Sequence, residues 1–166
     1  MLRRRSLLAI AVTTALAGCG FQLRGAPELA FSTLYVAAAE SSSLGNELKR
    51  NLGSLGSVQV ITDPLLQSSA QAVLDILLDQ REKTVVGVNA SGQVREFQLR
   101  VRLRFRLRSP QGRDLIPETE MLLQRDISFN ESAVLAKEAE EGLMYRDMQS
   151  DIVQQLIRRL AAVRSL

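Results

Sequence analysis

The segment FQLRVRLRFRLR, residues 97–108, constrains this chain more than any other part of it. Phe97, Leu99, Val101, Leu103, Phe105 and Leu107 share one parity; Gln98, Arg100, Arg102, Arg104, Arg106 and Arg108 share the other. Strand side chains alternate between two faces, whereas a helix would scatter both sets around its circumference. The segment therefore demands one long strand with an apolar face to bury and a face bearing a row of arginines. Same-face neighbours are about 6.6 Å apart, so five arginines span roughly 26 Å. Such a row meets water, internal carboxylates or an anionic partner, because guanidinium groups bind phosphates and carboxylates in a bidentate manner.

Turn-forming residues bound this strand on both sides, NASGQ at 89–93 and SPQGR at 109–113. Upstream, 72–88 reads as an extended strand, bent or bulged in its middle. Downstream, 114–129 pairs back, and Pro117 marks an irregular or edge position. If Leu107 faces Leu115, then Arg108 falls opposite Asp114, Arg104 opposite Glu118 and Arg102 opposite Glu120. The apolar face is satisfied at once, with Val101 against Met121 and Leu99 against Leu123. In that register Arg102 and Arg104 are partly neutralised. Arg100 and Arg106, opposite Leu122 and Ile116, are freer to meet a partner.

Two helices and two short strands complete the inventory. Leu44, Leu48, Leu52 and Leu55 make one face of a helix over 43–55, with Gly56 placed to end it. Met144, Met148, Ile152, Leu156 and Leu160 repeat every four residues along a helix over 132–163, with Asn130 or Ser132 as its cap. Residues 34–37 and 58–61 are short strand candidates. The order β-α-β-β-β-β-α gives an α+β fold, with two helices packed on one face of a mainly antiparallel sheet.

The N-terminus is of another kind. Arg3, Arg4 and Arg5 precede an apolar run, 7–16, too short for a permanent membrane span, and small residues then lead to Cys19. Leu16-Ala17-Gly18-Cys19 resembles a bacterial lipobox, in which the Cys is acylated and becomes the first residue. This predicts a lipoprotein signal peptide at 1–18, a lipidated lead-in at 19–33 and one domain at 34–166. Gly20, in place of the Asp that resembles an inner-membrane retention signal, points to the outer membrane. Cleavage before Cys19 removes three arginines and no acid, leaving 18 Lys plus Arg against 18 Asp plus Glu. The pI of about 9.5 thus belongs to the discarded segment, and a nucleic-acid partner loses its main support.

Much chemistry is missing. The chain has no His, and its one Cys is committed to lipid. That removes His acid–base catalysis, Cys nucleophiles and the usual zinc sites. No catalytic residue, metal or cofactor is expected. The carboxylates Glu118, Glu120, Glu138, Glu140 and Glu141 suit a solvated surface better than a glycosidase pair.

Three stretches carry a family resemblance: CGFQLRG at 19–25, GRDLIPE at 112–118, and AVLAKEAEE at 133–141 followed by QLIRRL at 155–160. Together, in this order, they resemble the lipopolysaccharide-assembly lipoprotein family LptE. The resemblance implies two helices on a four-stranded sheet and a plug inside the β-barrel LptD. It also implies contact with lipopolysaccharide through a basic residue early in the last helix, which maps onto Lys137. The family's second basic position, in the turn before the central strand, meets Asn89 here, without a cation. Arg100 and Arg106 are added as lipopolysaccharide contacts on the physical argument above. The competing readings are a free-standing outer-membrane lipoprotein binding an anionic glycan or lipid, and a lipid-anchored hydrolase. Cys19→Ser is expected to abolish acylation, which metabolic labelling with a fatty acid checks; label retained in the variant refutes the anchor.

Overall fold

The computed structural model describes residues 27–165. The predicted signal peptide, Cys19 and most of the lead-in lie outside them. The alternating segment is strand β4, Val94–Arg108. Leu99, Leu103, Phe105 and Leu107 on its apolar face are completely buried. On either side run β3, Ala72–Val88, and β5, Asp114–Ser128, both antiparallel to it. The two connecting turns are alike. In each a backbone hydrogen bond closes the loop, Asn89 to Gln93 and Ser109 to Arg113. In each a glycine takes positive φ, Gly92 at 79° and Gly112 at 93°, a conformation that strains any other residue.

The sheet has five strands where the family resemblance implied four. Its order is β2-β1-β3-β4-β5, with β1 at Thr33–Ala37 and β2 at Gln59–Ile61. The extra strand is the three-residue β2. It pairs parallel to β1 because helix α1, Ser43–Ser54, carries the chain back before β2 begins. β3 then pairs parallel with the other side of β1. The sheet is therefore mixed, antiparallel in its three long strands only. Helix α1 starts at Ser42, whose hydroxyl accepts the Gly45 N–H at 2.8 Å, and it ends just before Gly56, whose φ is +69°. Helix α2, Val134–Ala161, follows a 3₁₀ turn capped by Asn130. Leu44, Leu48 and Leu52 of α1 and Met148, Ile152, Leu156 and Leu160 of α2 join the apolar face of β4 in one core. A smaller cluster of Tyr35, Ala70 and Val73 lies apart from it.

The register of β4 with β5 differs by two residues from the one the charges suggested. Arg108 faces Asp114 as expected, but Leu107 faces Ile116, Arg104 faces Glu120 and Val101 faces Leu123. Bulges on β5 absorb the difference, one at Leu115 and one around Pro117, which cannot donate a ladder hydrogen bond. Two extra residues restore the original parity, so the apolar and charged faces remain separate. On β3 a one-residue bulge at Leu77 does the opposite, and two further shifts, at Val85–Gly87 and Gly87–Val88, cancel each other. Before Leu77, Leu74 lies opposite the buried Leu107; after it Asp79, Arg81 and Lys83 lie opposite Leu103, Val101 and Leu99. Polar partners on the helices accept these side chains. Ser42 donates to Asp79 at 2.6 Å, Arg81 donates to Gln149 at 2.6 Å, and Lys83 pairs with Glu141 at 2.5 Å.

Phe105 is among the largest fully buried side chains. Phe105→Ala should cost roughly 3–5 kcal/mol. The urea midpoint should fall with an unchanged slope.

Candidate functional site

Both helices pack into the core on one side of the long strands, and the arginine face of β4 lies on the other. Five arginines stand there, and the described carboxylates within ion-pair distance of them are also five, Asp75, Glu82, Asp114, Glu118 and Glu120. The row is a charge mosaic rather than a bare cationic stripe.

Its members differ sharply. Arg108 and Arg106 both donate to Asp75 of β3, at 2.7 and 3.0 Å. Burial pushes the Asp75 carboxyl upward, but the hydrogen bonds from Arg108 and Arg106 outweigh it, and the group titrates below its usual range. The hydrogen bond to Asp75 correspondingly raises Arg108. Arg104 reaches Glu118 at 3.2 Å, and Arg102 lies 3.8 Å from both Glu82 and Glu120. The ion pairs expected for Arg102 and Arg104 thus exist, but as diagonal contacts across the shifted register, whereas Arg108, although it faces Asp114, pairs with Asp75. Arg100 has no carboxylate in range among the described residues; its guanidinium bonds the Gln98 side-chain carbonyl at 2.6 and 2.8 Å. The expectation that Arg106 is freer than Arg102 fails. The reason is Asp75, directly opposite Arg106 on the strand that the sequence argument left out.

Lys137 lies elsewhere, in the first turns of α2, away from the arginine face. Its ammonium bonds Glu140 at 2.8 Å and the Ser128 hydroxyl at 3.1 Å. Glu141, four residues further along the helix, pairs with Lys83 instead. Lys83 also lies 4.3 Å from the centre of the Phe97 ring, a cation–π distance. Lys83 and Lys137 flank a cleft of about 240 Å³ floored by Phe97, Ile127, Phe129 and Val134. Phe97 and Phe129 meet edge to face at 5.3 Å. Two ammonium groups beside an apolar floor can hold an amphiphile with an anionic head. Glu141 already holds Lys83 and Glu140 holds Lys137, and Glu138 also lines the cleft.

Asn89 has a structural task. Its side-chain oxygen accepts the Ser91 and Gln93 N–H groups and fixes the turn. Arg95, at the base of that turn, bonds Gln93. The sequence reading missed Asp75, Lys83 and Glu82. The one signal for Asp75 was an acid inside the apolar run AVLDILL, and reading it required the position of the Leu77 bulge.

Comparison with known proteins completes the description. The family model LptE, lipopolysaccharide-assembly, matches residues 31–160. The LPS-assembly lipoprotein LptE of Pectobacterium atrosepticum is 28% identical over 159 residues, covering 94% of this chain and 82% of its own length. The protein of the same name from Yersinia enterocolitica is 30% identical over 94% of this chain and 73% of its own. Among solved structures, lipoprotein B from Nitrosomonas europaea superposes with a TM-score of 0.74 at 35% identity, covering 86% of this chain and 91% of that one. Rare lipoprotein B from Shewanella oneidensis shares the fold with a TM-score of 0.65 at 20% identity, over 78% and 94% of the two chains.

Asp75 yields a pH prediction. Because its folded value is depressed, it contributes stability that is present above its ordinary value of 3.8 and is lost as pH falls through the folded value. Asp75→Asn should destabilise by roughly 1–3 kcal/mol at neutral pH. The gap to wild type should close in acid. Urea denaturation at neutral and acid pH checks both; a gap that persists unchanged in acid refutes the account.

Proposed function

This chain belongs to the LptE lipopolysaccharide-assembly family, and on that premise we propose that it is an outer-membrane lipoprotein that plugs the β-barrel LptD and contacts lipopolysaccharide. The observation that carries the reading is the family match, which spans 31–160 and so takes in every described strand, helix α1 and all but the last residue of α2. The order of parts is then a signal peptide at 1–18, an acylated Cys19 and a single folded domain.

Two features of the fold support the plug. Both helices serve one core, which leaves the charged face of the long strands for a partner. That face is locally balanced, so an enclosing wall does not have to neutralise a bare row of cations. It needs only to match a mosaic, and desolvating already paired charges costs less than desolvating lone ones.

For the ligand, the reading assigns Lys137 first, then Arg100, with Arg106 contributing through a guanidinium it shares with Asp75. Lys137 stands at the lip of a cleft with an aromatic floor, which suits a phosphate joined to an acyl chain. The pair it now makes with Glu140 is half exposed on the acid's side, and such pairs are worth at most about 1 kcal/mol, so a phosphate can displace it. Arg100 is the member of the row with no carboxylate to displace among the described residues.

Detergent extraction of the outer membrane should yield the chain together with a stoichiometric barrel protein. Isolation without one would favour the free-standing lipoprotein. Lys137→Glu and Arg100→Glu should each weaken lipopolysaccharide binding to the purified protein, and binding should fall with added salt. Arg102→Glu, which reverses a charge already balanced by two acids, should act mainly on stability. Circular dichroism serves as the folding control; wild-type binding by a folded Lys137→Glu variant refutes the contact.

A further inference from the structure

Leu65 and Leu66 are 87% and 52% exposed. A single exposed leucine calls for no explanation. These two, however, are held in place. They sit in a 3₁₀ turn, Pro64–Ser69, begun by the Asp63 carboxylate, which accepts the Leu65 N–H at 2.9 Å. The Ser69 hydroxyl donates to the Leu66 carbonyl at 2.6 Å, and the Leu66 N–H bonds the Asp63 carbonyl at 3.1 Å. An ordered turn thus presents a pair of large apolar side chains outward.

Apart from the capping Asp63, the surroundings are poor in charge for a chain that is 23% charged. Residues 64–71, PLLQSSAQ, carry no ionisable side chain, and neither do residues 109–112, SPQG, in the β4–β5 turn. The two segments are neighbours: Pro64, Leu65, Gln67 and Ser68 line one shallow cleft with Pro110. The one charge in the turn is the Asp63 carboxylate that caps it, so leaving water costs the leucine side of this surface little.

The position in the fold selects the occupant. β1 and β3 run parallel from the same end, with Leu34 beside Ala72, and β4 finishes there, with Arg108 beside Val73. The chain therefore enters the fold at the end that carries the leucine turn. From Cys19 to Pro27 the chain can span at most about 28 Å. Acyl chains on Cys19 would hold this end close to a bilayer.

We propose that the Leu65–Leu66 turn is a second membrane contact, inserting into the leaflet that holds the lipid of Cys19. The proposal rests on the anchored-lipoprotein reading. With both contacts engaged, the end where the strands begin faces the leaflet, and the long strands are oriented instead of swinging on a tether.

The test uses the full-length acylated protein. Acylation consumes its one cysteine, so a cysteine introduced at position 65 can carry an environment-sensitive fluorophore alone. Leu65→Cys and, as the opposite-end control, Ala90→Cys are labelled and reconstituted into phosphatidylethanolamine–phosphatidylglycerol vesicles containing lipids spin-labelled in the acyl chain. The proposal expects a blue shift and loss of emission at position 65 and neither at position 90. Acyl mass on Cys19 with no more quenching at 65 than at 90 overturns the membrane contact and leaves the anchor standing. Shielding of position 65 from aqueous iodide without quenching by lipid makes the turn a protein interface, with the barrel or a second copy, and also overturns it. Absence of acyl mass strikes the anchoring reading itself, and this proposal with it.

Discussion

Strand β4 has to satisfy an apolar face and an arginine-rich face from Phe97 to Arg108, and its neighbours are built around that demand. A strand beside it may gain residues only if parity survives or if the polar side chains it misdirects find partners. β5 takes the first course. Its bulges at Leu115 and around Pro117 add two residues, so Met121 and Leu123 still meet Leu103 and Val101. β3 takes the second course. Its bulge at Leu77 adds one residue and turns Asp79, Arg81 and Lys83 to the helix side. Ser42, Gln149 and Glu141 are placed to receive them. The contacts that dock α1 and α2 onto the far half of β3 are thus polar because of one inserted residue.

The same demand explains what could be read in advance. The alternation of residues 97–108 has no helical reading, and the glycines of the two turns delimit it, so β3, β4 and β5 are legible. The leucine and methionine spacing makes both helices legible too. Register was not, because a bulge leaves no composition signal except a proline. Pro117 flagged the disturbance without giving its size. Pairing charges across β4 and β5 recovered Arg104 with Glu118 and Arg102 with Glu120, yet as diagonal neighbours. Salt bridges between long side chains tolerate a two-residue slip that a backbone ladder does not. Asp75 was out of reach for a further reason: its pairing with Arg106 depends on the Leu77 bulge, and nothing in AVLDILL marks where the extra residue falls.

For the site, this means that charge counting along one strand overstates what is available. Five arginines suggest a docking rail of roughly 26 Å. With the neighbouring strands in place, Arg106 and Arg108 share one depressed carboxyl, Arg102 stands between two glutamates, and Arg100 alone lacks a described acid. The cations at the α2 end tell a similar story, since Lys83 and Lys137 each hold a glutamate. At these two places an anion has to exchange for an internal partner at every cation except Arg100. Recognition then depends less on net charge than on what else a site offers, and the Lys137 cleft offers an aromatic floor.

Strand length connects the two ends. From Arg108, at the end where the chain enters, to Phe97, in the floor of the Lys137 cleft, β4 climbs eleven residues, about 36 Å. The hydrocarbon core of a bilayer is about 30 Å thick. If the chain is anchored in one leaflet at its entry end and stands with β4 along the membrane normal inside a barrel, as proposed, the Lys137 cleft lies at the level of the opposite leaflet. Such a molecule needs no large motion to act across a membrane. The separation is built in by the run of β4 from Phe97 to Arg108, along which the irregularities fall on its neighbours, at Leu77 of β3 and at Leu115 and around Pro117 of β5.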